Sequence, residues 1–104
     1  MKRMAGLLLV TLVMCYQLAD GAVKHQVSLK WKASASQGVK YGIGRGTKSG
    51  GPYQQLAVNI SGLTYQDTTV VTKKSYYYVV VAYYPSCGTK CQSKPSNQVK
   101  ATIP

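Results

Sequence analysis

Ser75-Tyr76-Tyr77-Tyr78-Val79-Val80-Val81-Ala82-Tyr83-Tyr84 contains neither a charge nor a glycine, and it lies between Lys73-Lys74 and Pro85-Ser86. β-branched and aromatic residues at this density predict a central strand. With a period of two, Tyr76, Tyr78, Val80 and Ala82 share one face while Tyr77, Val79, Val81 and Tyr83 share the other, so the strand is apolar on both sides. One side can close a core. The other must be covered or put to use.

Working outward, Gln26 to Ala33 sets Val27, Leu29 and Trp31 against Ser28, Lys30 and Lys32, the alternation of a half-buried strand. Val39 to Arg45 places Val39, Tyr41 and Ile43 on one face and Lys40, Gly42 and Gly44 on the other, where the two glycines leave a strip of bare backbone. Gly46 to Pro52 reads as a loop, Tyr53 to Val58 as a short strand, and Leu63 to Val71 as an extended piece. Pro85 to Pro95 is a second loop, and Asn97 to Ile103 alternates Val99, Ala101 and Ile103 with polar residues. Short strands at near-regular spacing, with no helical period after residue 22 and no internal repeat, predict an antiparallel β-sandwich. Its expected core is Val27, Leu29, Trp31, Tyr41, Ile43, Tyr76, Tyr78, Val80, Ala82 and Val99.

A chain of 104 residues has room for one domain. Met1 to Met4 carries Lys2 and Arg3, Ala5 to Tyr16 is apolar, and Ala19 and Gly21 are small, which together read as a secretory leader over residues 1–21, cut before Ala22. The apolar stretch is short for a membrane span, which takes about 20 residues. An uncleaved anchor and a lipoprotein leader ending at Cys15 are the alternatives, the second with Met14 where a small residue is wanted. The domain is then 22–104, in a secreted, extracellular or cell-surface setting, and a membrane partner enters only if the leader is retained.

The net charge is +11, from 13 Lys and Arg against two Asp. Such an imbalance favours anionic partners such as phosphate polymers, acidic glycans or an anionic envelope, although it equally describes a soluble, self-repelling surface.

Six stretches in this order carry a resemblance over essentially all of Val23 to Pro104: Val27-Ser28-Leu29-Lys30-Trp31, Tyr41-Gly42-Ile43, Gly50-Gly51-Pro52-Tyr53, Tyr65-Gln66-Asp67-Thr68-Thr69-Val70, Tyr76 to Ala82, and Pro95-Ser96-Asn97-Gln98-Val99-Lys100-Ala101. The chain resembles a fibronectin type III module, and more narrowly those of secreted bacterial proteins. The resemblance implies an immunoglobulin-like sandwich of seven strands with Trp31 between the sheets, and non-catalytic work as a spacer, an adhesive element or a binder of surfaces and polymers. Three departures stand out. After a cut before Ala22 only Ala22 to Gln26 precede Val27, so the mature domain would lack the family's first strand. Gly42 and Gly44 replace larger outward residues. Arg45-Gly46 is followed by Thr47 rather than Asp, so integrin recognition does not carry over.

Little in the sequence points to catalysis. After the leader there is one His, His25, and one acid, Asp67, where general acid–base chemistry and triads need positioned partners. Gly42-Ile43-Gly44-Arg45-Gly46 lies on a strand with no helix after it, which argues against a nucleotide site, and no cofactor is expected. Cys87 and Cys91 are expected to form a disulfide in an exported chain, with a redox-active or free pair, or half of a metal site, as the other readings. Asn59-Ile60-Ser61 is a glycosylation sequon if the host modifies exported chains.

The expected contact face is the outward side of the central strand, Tyr77, Val79, Val81 and Tyr83 beside Gly42 and Gly44, rimmed by Lys40 and Lys100. The sequence therefore predicts an exported structural or adhesive module acting through protein–protein or self-association contacts, an oligomer or filament subunit being one form of it. The alternative is a low-specificity binder of anionic polymers or glycans at the cell surface.

Overall fold

The computed structural model describes residues 10–19, 22–34, 38–86, 92–93 and 95–104, with side chains from residue 25 onward. Seven strands follow one another along the chain: β1 (Val10–Ala19), β2 (Ala22–Trp31), β3 (Lys40–Gly46), β4 (Gln54–Ile60), β5 (Thr64–Asp67), β6 (Ser75–Tyr83) and β7 (Val99–Thr102). They form two antiparallel sheets, one ordered β1-β2-β5 and the other β4-β3-β6-β7. No helix occurs among the described residues.

The Tyr- and Val-rich stretch becomes β6, hydrogen-bonded on one side to β3 and on the other to β7. Its inward residues Tyr76, Tyr78, Val80 and Ala82 are buried and meet Val27, Leu29 and Trp31 of the opposite sheet. Tyr41 and Ile43 of β3 complete the layer with Ala101 and Ile103, and Val99 packs against it half-buried. Each large apolar side chain removed from water here contributes about 1.5–3 kcal/mol. Trp31 lies tilted against Tyr41, ring centroids 5.6 Å apart, and is 5% exposed. Its indole N–H has no hydrogen-bond partner among the described residues. At the corner before β6 the Tyr76 hydroxyl accepts the Val71 amide at 2.9 Å, tying the β5–β6 connection to the strand it enters.

β1 falls within the stretch read as a secretory leader. The segment read as the end of a leader pairs with β2 over ten residues, from Val10 opposite Trp31 to Ala19 opposite Ala22, so in the whole chain the first-strand position is filled. Met14, Leu12 and Val10 stand at the register positions opposite the core residues Val27, Leu29 and Trp31. A missing first strand is a property of a chain that starts at Ala22.

Before β7 the chain already runs beside β6. The Ser93 and Ser96 hydroxyls accept the Ala82 and Val80 amides at 3.0 and 2.8 Å, and their own amides donate to the carbonyls of the same two residues. The serines thereby replace strand pairing where a regular ladder stops.

Candidate functional site: a tyrosine-walled trough

The outer face of the β4-β3-β6-β7 sheet carries a trough of about 480 Å3. Its floor is Gly42 and Gly44 of β3 with Val79 and Val81 of β6. These four are brought together by register, since Gly42 pairs with Val81 and Gly44 with Val79. Residues with no side chain opposite short branched ones leave a hollow. Two irregularities in the β3–β4 pairing, on either side of Ile43, set off β4, whose Gln54, Gln55 and Val58 form one wall. Gln92 and Pro95, from the serine-tied segment, form the other.

Tyrosines close both ends. The Tyr83 hydroxyl accepts the Asn59 amide at 2.8 Å, which fixes the ring across the end of β4. Tyr53 lies over the glycines: a Cβ at Gly44 would come within 3.1 Å of the Tyr53 Cβ, and one at Gly46 within 2.6 Å of the Pro52 carbonyl oxygen. Gly50 and Gly51, with φ of 81° and 94°, supply the left-handed turn that brings Tyr53 back. The Tyr53 hydroxyl donates to the Gln98 side-chain carbonyl, which also accepts the Gly50 amide at 2.7 Å.

This corrects the expected face. Five of its six residues line the trough, but the face is concave rather than flat, and Val79 is only 6% exposed. Tyr77 is not part of the trough lining and has the Lys100 ammonium over its ring at 5.8 Å. Lys40 does not rim the site either, since its ammonium donates to Ser61 Oγ. Tyr53 and the three glutamines escaped the sequence reading. The Gly50-Gly51-Pro52-Tyr53 turn was the available signal, because an aromatic straight after a glycine-rich turn can fold over the glycines of the preceding strand.

Among the described residues no charged side chain lines the trough. The acid lies elsewhere: Asp67 is buried at the end of β5 and accepts four hydrogen bonds. Tyr78 Oη donates at 2.6 Å and Arg45 Nη1 at 2.8 Å to one carboxylate oxygen, and the Thr69 hydroxyl and amide donate at 2.6 and 3.0 Å to the other. Arg45 also donates to Thr69 Oγ1 and lies 5.0 Å over the Tyr76 ring. Burial pushes the Asp67 pKa up, but the donors from Thr69, Tyr78 and Arg45 outweigh it and hold the carboxyl below the usual range. Tyr78 is raised, by burial first and by its bond to Asp67 second. Among the described residues no three His, Cys, Asp or Glu side chains gather where they could hold a metal. Cys87 and Cys91 lie outside the described residues. Asn59 is exposed, with φ of 61°, at the edge of the sheet.

Two antiparallel sheets over an indole and tyrosine core, with an open trough on the outer face of one of them, define a small β-sandwich module. No family model matches the sequence, and no curated protein does. Among solved structures the chain is similar to a Fn3-like protein from Clostridium thermocellum, with 32% identity over 88% of each chain and a TM-score of 0.66. The chain belongs to the fibronectin type III-like family. It is also similar to part of a β-1,2-glucanase from Parabacteroides distasonis, with 27% identity over 77% of this chain and 11% of the enzyme, TM-score 0.63. A pectate lyase from Erwinia chrysanthemi, solved with tetragalacturonic acid, shares the fold at 24% identity over 88% of this chain and 28% of the enzyme, TM-score 0.63.

Proposed function

We propose that the protein is an exported, non-catalytic contact module that holds another macromolecular surface in the trough of its second sheet. The observation that carries this reading is the trough itself, with an apolar floor and a tyrosine at each end. The locked state of Asp67 supports it, because a carboxylate engaged by four donors is poorly placed for proton transfer to a substrate. The leader-like start supports export, and in an exporting compartment Cys87 and Cys91 pair as a disulfide.

The likeness to part of a polysaccharide-acting enzyme supports work beside a polymer, because the chain corresponds to only 11% of that glucanase. Filling the trough tests the reading. A Cβ at Gly42 meets its neighbours at 3.5 Å or more, so Gly42→Leu enters the floor of the hollow from ordinary van der Waals contact. Sedimentation velocity for self-association, together with capture on immobilised proteins and polysaccharides, should detect an interaction that Gly42→Leu abolishes. If every association of the chain ignores that substitution, the trough is not the contact site. Mass spectrometry of the exported protein reads the N-terminus and the state of the cysteines in one spectrum.

A further inference from the structure

Resting on the trough as the contact site, we propose that the loop from Thr47 to Tyr53 is a strap that regulates it. Shut, the strap seats Tyr53 across the contact strip; released, it opens the trough along β3 as far as Tyr77. The strip is longer than the hollow. Gly42, Gly44 and Gly46 share one face of β3, opposite Val81, Val79 and Tyr77 of β6. The first two pairs floor the trough, and Tyr53 lies over Gly44 and Gly46. Its seat is cut to a phenol ring. A Cβ at Gly44 would press on the Tyr53 Cβ at 3.1 Å, one at Gly46 on the ring at 3.3 Å, and one at Gly51 on the opposite edge of the ring at 3.2 Å. With the ring gone, Gly44 and Gly46 present bare backbone.

The strap is pinned at one point. Thr47 to Gly50 and Pro52 are exposed. Every hydrogen bond between the strap and a side chain elsewhere in the described chain ends on Gln98. The Gly50 amide donates to Gln98 Oε1 at 2.7 Å, the Tyr53 hydroxyl donates to the same oxygen, and Gln98 Nε2 donates to Ser49 Oγ at 3.2 Å. An exposed segment, hinged at Gly50 and Gly51 and held through one side chain, opens without disturbing the core. Gly46 pairs with Tyr77, so release makes the floor continuous from Gly42 and Val81 to Gly46 and Tyr77, whose ring carries the Lys100 ammonium. A partner that needs the whole strip binds more weakly by the fraction of molecules that are open, and breaking the latch removes that penalty.

The experiment uses the full 104-residue chain with a thiol placed on the floor, at Val79→Cys beside the seat of Tyr53 or, in a second protein, at Val81→Cys beside Gly42. Iodoacetamide is applied under native conditions, and chymotryptic cleavage after Tyr78 and Tyr83 separates either site from Cys87 in the mass spectrum. Adding Gln98→Ala should speed alkylation at position 79 about tenfold, as the loss of one or two hydrogen bonds predicts, and leave position 81 unchanged. Gln98→Glu keeps an accepting oxygen and should leave position 79 slow. Equal acceleration at both positions means that the whole sheet has loosened. No acceleration at 79, or as much from Gln98→Glu as from Gln98→Ala, means that Gln98 is no latch. Each of these results overturns the proposal. Should the thiol variants not fold, amide exchange at Gly50 decides: it should quicken in Gln98→Ala while the β6 amides keep their rates, and an unchanged rate at Gly50 overturns the strap equally. None of these readouts needs a partner. If Gly42→Leu alters no association, the contact-site reading falls while the strap is still judged at position 79. Where Gly42→Leu does abolish an association, Gln98→Ala should tighten it, and an unchanged affinity overturns the strap's control of the site.

Discussion

The Tyr78 hydroxyl donates to Asp67 Oδ2 at 2.6 Å across the gap between the sheets, since Tyr78 belongs to β6 in one and Asp67 ends β5 in the other. Arg45 reaches the same oxygen from β3, beside Tyr78 in the register. One carboxylate therefore ties two strands of the second sheet to the first. Tyr78→Phe keeps the ring and removes the donor. It should cost about 1.5–3 kcal/mol, as for a hydrogen bond to a charged group, read from urea unfolding. Asp67→Ala leaves Arg45 facing no charge and should cost about 3–5 kcal/mol. If the two losses simply add in the double variant, the side chains do not act as a pair.

The same carboxylate sets the acid limit of stability. Its folded pKa is lowered, so the stability it contributes is fully present above the ordinary carboxylate value of about 3.9 and drains away as pH falls through the lower folded value. Unfolding free energy measured from about pH 6 down to about pH 2 should decline in the wild type. In Asp67→Asn the curve should be much flatter, because Asp20 is the chain's one other acidic side chain. Equal slopes would mean that the Asp67 network contributes nothing to acid stability.

Three glycines of β3 should rank by what lies above them. Gly42→Ala meets only ordinary contacts and should be neutral or stabilising by up to about 1 kcal/mol. Gly44→Ala presses on Tyr53 and Val79 at 3.1 and 3.2 Å, and Gly46→Ala meets a backbone carbonyl at 2.6 Å. Losses of about 1–3 kcal/mol are expected for these two, with Gly46 the larger. Thermal melts of the three variants give the order, and a Gly46→Ala melt equal to wild type would contradict the seating of Tyr53.

A chain beginning at Ala22 should behave differently from the whole one. Without β1 the outer edge of β2 is unpaired and Val27, Leu29 and Trp31 lose their register neighbours. The loss should be on the order of 5 kcal/mol, as for exposing two or three large apolar side chains. An open edge also accepts strands from other copies, so sedimentation should find association that grows with concentration. A truncated chain as stable and monomeric as the full one would remove β1 from the fold's account. Trp31, the chain's one tryptophan, reports the difference through its fluorescence.

Much of the fold was legible because period-two alternation is a local signal: Val27, Leu29 and Trp31 declare an inward face in five consecutive residues. β1 was not, because the apolar run from Val10 to Tyr16 shows no period-two alternation, and its pairing with β2 is a matter of register rather than of local pattern. The trough was half legible. Gly42 and Gly44 stood out as bare, yet Tyr53 reaches them by a turn through Gly50 and Gly51, and the partners of a turn are not written in any period. The Asp67 network was invisible for a similar reason, since its donors come from three separate segments.

The burial of Asp67 also has a consequence for the exterior. With that carboxylate withdrawn, every charged side chain left at the described surface is a cation. In dilute buffer such a surface adds repulsion between copies that salt screens. The described lining of the trough adds no charge to that coat, so salt changes the field around the module while leaving those lining contacts as they are.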